Sequence, residues 1–142
     1  MRQLICLSIL AAVTLPAFAA SPTEVVGEYH AALASGNAAK ALSLLSPTVQ
    51  IFESGYAEKS KDEYAGHHLP ADMAFAKTVN RKVLKGSERI AGDLAVVMQE
   101  TDTRGTHNGA AVHTVGTETA VLEKKGEGWV IVHFHWSSRK TK

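Results

Sequence analysis

Gly128-Trp129-Val130-Ile131-Val132-His133-Phe134-His135-Trp136-Ser137-Ser138 is the stretch on which the fold turns. It is rich in β-branched and aromatic residues, and Lys125-Gly126-Glu127 just before it has turn chemistry, so it reads as a strand entered from a tight turn. The same texture continues upstream in Ala110 to Glu123, Leu94 to Thr103 and Val83 to Ile90, with Arg104 to Gly109 and Gly92-Asp93 between them. Connections this short join consecutive strands antiparallel, which predicts an antiparallel meander. In the last strand His133 and His135 are two apart and share a face, with Ile131 beside them, while Val130, Val132, Phe134 and Trp136 take the other. Both faces are then covered, and the imidazoles are expected to line a cavity or an interface.

Before residue 79 the period changes. Val25, Val26, Tyr29, Ala32 and Leu33 recur at three and four spacing, which predicts a helix from Pro22 to Ser35 with Thr23 as its N-cap. Gly36-Asn37 closes that helix and opens a second over Asn37 to Leu45, which ends at Ser46-Pro47 because proline cannot continue it. Thr48 to Phe52 is a short strand before a turn at Gly55. Ser60 to Val79 is helical again, with Ser60 and Glu63 spaced as a capping box. Pro70 interrupts it, giving a kink or two helices with Pro70 in the first turn of the second. Helices first and a curved antiparallel sheet last is an α+β arrangement, with three helices covering one face of the sheet.

Composition narrows the function classes. The chain has 142 residues, 45% hydrophobic and 20% charged, with a formal charge of +1, which suits one globular domain. Arg2, the apolar run Leu4 to Leu15 and Ala17-Phe18-Ala19 have the form of a secretory signal, so residues 1–19 are expected to be cleaved and residues 20–142 to form the working domain, periplasmic or secreted. The run is too short to span a bilayer. Cleavage removes Arg2, the only charge in the leader, and leaves acidic and basic side chains balanced. A neutral domain is a poor nucleic-acid or membrane binder. The sole cysteine, Cys6, departs too, which excludes a disulfide, a thiolate metal site and a cysteine nucleophile in the mature chain. No phosphate-binding glycine loop or Gly-x-Ser-x-Gly elbow is present.

Three strings in order carry a family resemblance: Val25-Val26-x-x-Tyr29-x-Ala31-Ala32-Leu33-x-x-Gly36-Asn37, Val49-x-Ile51-x-Glu53, and Gly128-Trp129-x-Ile131-Val132-His133-x-His135-Trp136-Ser137. With them the chain resembles the nuclear transport factor 2-like (NTF2-like) superfamily, in its branch of small SnoaL-like (DUF4440-type) domains. The resemblance implies a cone-shaped α+β barrel with a pocket at its open end, commonly a homodimer through the outer face of the sheet. Within that superfamily the chain also resembles ketosteroid isomerase, which places Tyr29 at the oxyanion-hole tyrosine and Glu53 at the catalytic carboxylate. The protonated acid of that family has no counterpart: Val115 falls near its place, with His113 two residues away. The last strand is similar to the association domain of calmodulin-dependent kinase, an assembly hub with a comparable His-x-His.

The candidate site residues follow. Glu53 ends an apolar strand near the mouth of the cone, where partial burial would raise its pKa and suit it to abstract a proton next to a carbonyl; the alternative is a solvated carboxylate before a turn. Tyr29 is either a proton donor or a core tyrosine with one hydrogen bond. His133 is a proton-transferring candidate, and His68, Asp72, His113 and His135 are ligand-binding candidates, each of which could instead be satisfied locally. Gly66-His67-His68-Leu69-Pro70-Ala71-Asp72 is the most unusual local string. His68 and Asp72, with His133 and His135, offer nitrogen and oxygen donors of the kind that suit zinc or iron, although no His-x-x-x-His string occurs. Arg81, Lys82, Lys85 and Arg89 read as solvated.

The leading expectation is an exported domain that binds a small, mostly apolar molecule in its cone, with cofactor-free acid/base isomerisation, dehydration or hydrolysis if it is an enzyme. The alternatives are a non-enzymatic carrier or oligomeric interaction domain, and a metal-binding protein holding a divalent ion through histidines and carboxylates.

Overall fold

The computed structural model describes residues 19–141, so all of the expected leader except Ala19 lies outside the described residues. In chain order the elements are α1 (Pro22–Ser35), α2 (Ala38–Ser43), β1 (Leu45–Glu53), β2 (Tyr56–Glu58), α3 (Lys61–Gly66), α4 (Leu69–Ala76), β3 (Val79–Ala91), β4 (Leu94–His107), β5 (Ala110–Lys125) and β6 (Gly128–Lys140). One six-stranded sheet runs β2-β1-β6-β5-β4-β3. This is the expected α+β cone of helices on a curved sheet.

Helix α1 has the expected bounds, but its cap differs. Ser21, not Thr23, is the N-cap: its hydroxyl accepts from Glu24 N at 3.3 Å and Glu24 Oε2 accepts from Ser21 N at 2.7 Å. Pro22 then occupies the first helical turn, where its missing N–H costs nothing. Gly36 closes the helix at φ +71, in the left-handed region. Val25, Val26, Tyr29, Ala32 and Leu33 are all buried, as their spacing predicts. They pack on Ala95, Val97, Ala120, Leu122, Ile131 and Phe134 from the concave face of the sheet. Burying each of the larger aliphatic side chains contributes about 1.5–3 kcal/mol.

Two further expectations are corrected, the end of α2 and the number of helices. Helix α2 stops at Ser43, and β1 starts at Leu45 and carries Pro47 inside it. Proline is tolerated there because the pairing of β1 with β6 is irregular between Leu45 and Gln50, and β2 pairs only with residues 51–53, so no ladder bond is lost. The 60–79 stretch is two helices, α3 and α4, with Pro70 in the first turn of α4; the helices therefore number four. The meander β3–β6 is antiparallel throughout, but β1 joins β6 in parallel. That pairing crosses from the helical half of the chain to its last strand, and no local signal marks it.

A bulge changes the last strand. Val121 pairs with His133 while Leu122 pairs with Ile131, so Val132 is an extra residue. Ile131 and Phe134, three apart, both turn into the core. His133 and His135 consequently do not share the face of Ile131; they lie on the outer face, where Phe52 packs against them at ring-centroid distances of 4.9 and 6.3 Å.

Candidate functional site

A cavity of about 1070 Å3 lies between α1, α4 and the concave face of the sheet. Its wall includes His30 from α1, Glu53 from β1, Asp72 and Phe75 from α4, Arg81 from β3, Glu118 from β5 and Trp136 from β6. Gly116 contributes to the same wall between Thr101 and Ser137; a methyl group there would stand 3.0 Å from the Thr101 hydroxyl and from the Ser137 carbonyl, so the strand is kept bare at this point.

Two polar arrays meet the cavity. In the first, Tyr29 OH and Tyr64 OH are 2.7 Å apart and Tyr64 OH donates to Asp72 Oδ2 at 2.8 Å. Because Tyr64 has one hydroxyl hydrogen and gives it to the carboxylate, Tyr29 must donate to Tyr64. Both tyrosines are fully buried and burial holds their hydroxyls protonated. Asp72 sits at the end of this relay. Burial pushes its pKa up from 3.8 to about 6, helped by the negative charge of Glu53 and opposed by the Tyr64 hydrogen bond. Glu53 and Asp72 are thus two carboxylates on one cavity, and burial favours the protonated form of Asp72.

The second array is centred on Glu118. His30 Nε2 lies 2.8 Å from Glu118 Oε2, and Arg81 donates to Glu118 Oε1 at 3.2 Å and to Gln99 Oε1 at 2.8 Å. Burial alone would raise the Glu118 carboxyl, but His30 and Arg81 outweigh it and hold the pKa below the usual value. A half-buried guanidinium and an imidazole on the wall give the chamber a place for a polar or anionic group. Arg81 is therefore not solvated as its sequence context suggested, whereas Lys82, Lys85 and Arg89 are exposed.

Of the sequence candidates, Glu53, Asp72 and His113 line the cavity, and His113 Nε2 is also 2.9 Å from Asp102 Oδ1. Tyr29 lies beneath the wall, in the core. His68 turns away to Glu58, with Nδ1 against Oε1. His135 lines a smaller surface depression of about 240 Å3 with Phe52 and Glu53, and His133 stands beside Phe52. His68, Asp72, His133 and His135 therefore do not converge. Tyr64, His30, Arg81 and Glu118 were missed. Glu118 had a usable signal: at two-residue spacing it shares a strand face with Ala120 and Leu122, a charge on an inward face.

The sequence model of the SnoaL-like domain matches residues 23–139. The chain belongs to the SnoaL-like domain family, within the NTF2-like superfamily. Among solved structures, this SnoaL-like domain is similar to a ketosteroid isomerase-like protein from Shewanella frigidimarina NCIMB 400, with 38% identity and a TM-score of 0.78 over 80% of this chain and 92% of that one. It is also similar to the CaMKII hub of S. rosetta, with 25% identity and a TM-score of 0.69 over 84% of this chain and 98% of the hub. The CaMKII hub homology domain of Chlamydomonas reinhardtii aligns at 27% identity and a TM-score of 0.64, over 83% and 95% of the two chains. No curated protein matches this SnoaL-like domain.

Proposed function

We propose that this SnoaL-like domain binds a small, mostly apolar carbonyl compound in its cone and moves a proton on it without an organic cofactor. Glu53 takes the proton beside the carbonyl, and Asp72 in its protonated form, seated on Tyr64, donates to the oxygen that becomes negative. The observation that carries this reading is the pair Glu53 and Asp72 on one cavity wall, with Asp72 held at about 6 by burial. A group of that pKa is part protonated near neutrality and is able to give and recover a proton in each turnover. The likeness to a ketosteroid isomerase-like protein at 38% identity supports the same class of chemistry. The working domain is exported after loss of its leader and pairs with a second copy through the outer face of the sheet, around Phe52 and Met98, which are 38% and 37% exposed.

Deuterium uptake tests the chemistry. Wild-type protein is incubated in D2O with a panel of small apolar ketones and incorporation next to the carbonyl is followed by NMR. Catalysed exchange is expected for at least one ketone, and Glu53→Gln should slow it by a factor of about 100 or more. Exchange undiminished in Glu53→Gln removes the assignment of the base. The two hub likenesses favour a second reading, an oligomeric interaction domain without turnover. Ketones that bind but never exchange, together with an assembly larger than a dimer in light scattering, would select it.

A further inference from the structure

Outside the cavity, at the corner between β2 and α3, one buried acidic oxygen has no partner. Glu58 is 4% exposed; its Oε1 is taken by His68 Nδ1, and its Oε2 makes no hydrogen bond. A buried carboxylate oxygen left without a donor is costly, and such atoms commonly mark a bound water or ion. Oε2 faces two further donors. His67 Nδ1 is 3.6 Å away, and a Glu63 carboxylate oxygen completes a group whose ligand atoms all lie within 4.8 Å of one another. The geometry points to a divalent metal site, with zinc the best-matched ion, formed by Glu58, Glu63 and His67.

Each donor is set by its local structure. Ser60 caps α3, accepting from Glu63 N at 3.1 Å, but the Glu63 side chain does not close back on Ser60 as a capping box would. It accepts instead from Lys59 N at 2.7 Å, which turns the carboxylate towards β2. His67 is the C-cap of α3, one turn on from Glu63 and on the same side. His68 orients Glu58 from the far oxygen, the role that outer partners play for metal-bound carboxylates. Zinc holds nitrogen and oxygen ligands at about 2.0–2.2 Å, which puts tetrahedral ligand atoms roughly 3.4 Å apart. The 3.6 Å between His67 Nδ1 and Glu58 Oε2 is already near that edge, and Glu63 closes the remainder by a side-chain rotation. Three protein ligands leave a fourth position for water. None of the three lines the main cavity, so the site stands apart from Glu53 and Asp72.

The test is a zinc titration of protein purified without a metal-affinity tag, stripped with EDTA and followed by calorimetry and by melting temperature. One zinc per chain and a raised melting temperature are expected. His67→Ala and Glu63→Gln should each weaken zinc binding at least about tenfold. His67 is exposed and Glu63 half-buried, so both variants should keep the wild-type circular dichroism. His133→Ala, on the outer face, should bind as the wild type does. No zinc heat above buffer, or affinity unchanged in both His67→Ala and Glu63→Gln, overturns the site, and binding lost in His133→Ala instead places the ion on the outer face. Ketone exchange is indifferent to all of these outcomes.

Discussion

The hydroxyl of Tyr64 donates to Asp72 Oδ2 over 2.8 Å, so a side chain from α3 holds the carboxylate that α4 turns into the cavity. The same hydroxyl is the acceptor for Tyr29, which ties the core to the cavity wall through one oxygen atom.

Tyr64→Phe should therefore act in two places. Tyr29 is left with a buried hydroxyl and no acceptor, which should cost about 1–3 kcal/mol in denaturant unfolding. Asp72 loses the bond that lowers its pKa and should titrate above 6, as read from its carboxyl carbon by NMR. A stability equal to that of the wild type would show that Tyr29 finds another acceptor.

The pH dependence of stability should carry the signature of Asp72. Its folded pKa is raised, so the contribution of the protonated group is complete below the unfolded value of 3.8 and is lost as pH rises through about 6. Ionising it in the folded protein costs on the order of 3 kcal/mol. Asp72→Asn keeps an acceptor for Tyr64 and cannot ionise. Urea unfolding at pH 4 and pH 8 should find the variant closer in stability to the wild type at pH 4 and more stable than it at pH 8. The opposite ordering would mean that Asp72 is not raised.

Glu118 should behave in the reverse sense. Its pKa is depressed, so its contribution is present above the ordinary 4.5 and disappears as pH falls through the folded value. Glu118→Gln strands Arg81 and His30 around a neutral amide. Removing one partner of a buried ion pair costs about 3–5 kcal/mol, and the partial exposure of Arg81 places the expected loss at pH 7 near the lower figure. Chemical denaturation at pH 7 and pH 4 measures it, and the deficit should shrink at the lower pH.

Ligand entry should be visible in Trp136, which lines the cavity next to Glu118 on the neighbouring strand. An apolar ketone that fills the chamber should shift or quench its emission with a saturable dependence on concentration, and Trp136→Phe should abolish that change. Trp129 is absent from the cavity wall and should not respond.

Much of the fold was legible because it is local. The α1 stripe of Val25, Val26, Tyr29, Ala32 and Leu33 and the turns at Gly92, Gly109 and Gly126 are short-range patterns, and the structure has them where the spacing put them. The unread parts depend on partners far along the chain. Pro47 sits in a strand because its neighbours leave its missing N–H unneeded, and one of them, β6, lies at the far end of the chain. His133 and His135 were expected on the face of Ile131, lining a cavity or an interface, because alternation was counted from Ile131, and the extra residue Val132 breaks the count. Of the site, Glu53 and Asp72 were legible as carboxylates at element ends. Tyr64 carries no mark in the sequence that singles it out, and Arg81 read as a solvated base because Glu118, its partner, is brought opposite only by the sheet.

The parallel pairing of β1 with β6 sets an order of events in synthesis. Glu53 aligns with Trp136, so the wall that carries the candidate base has only the three-residue strand β2 beside it until the final hairpin has been made. Long-range closure of this kind slows folding into the millisecond-to-second range typical of topologies with distant contacts. The hairpins β3–β4 and β4–β5 can form as they emerge, but the chamber itself can close only after β6 has been made, so competence to bind is the last property the nascent chain acquires.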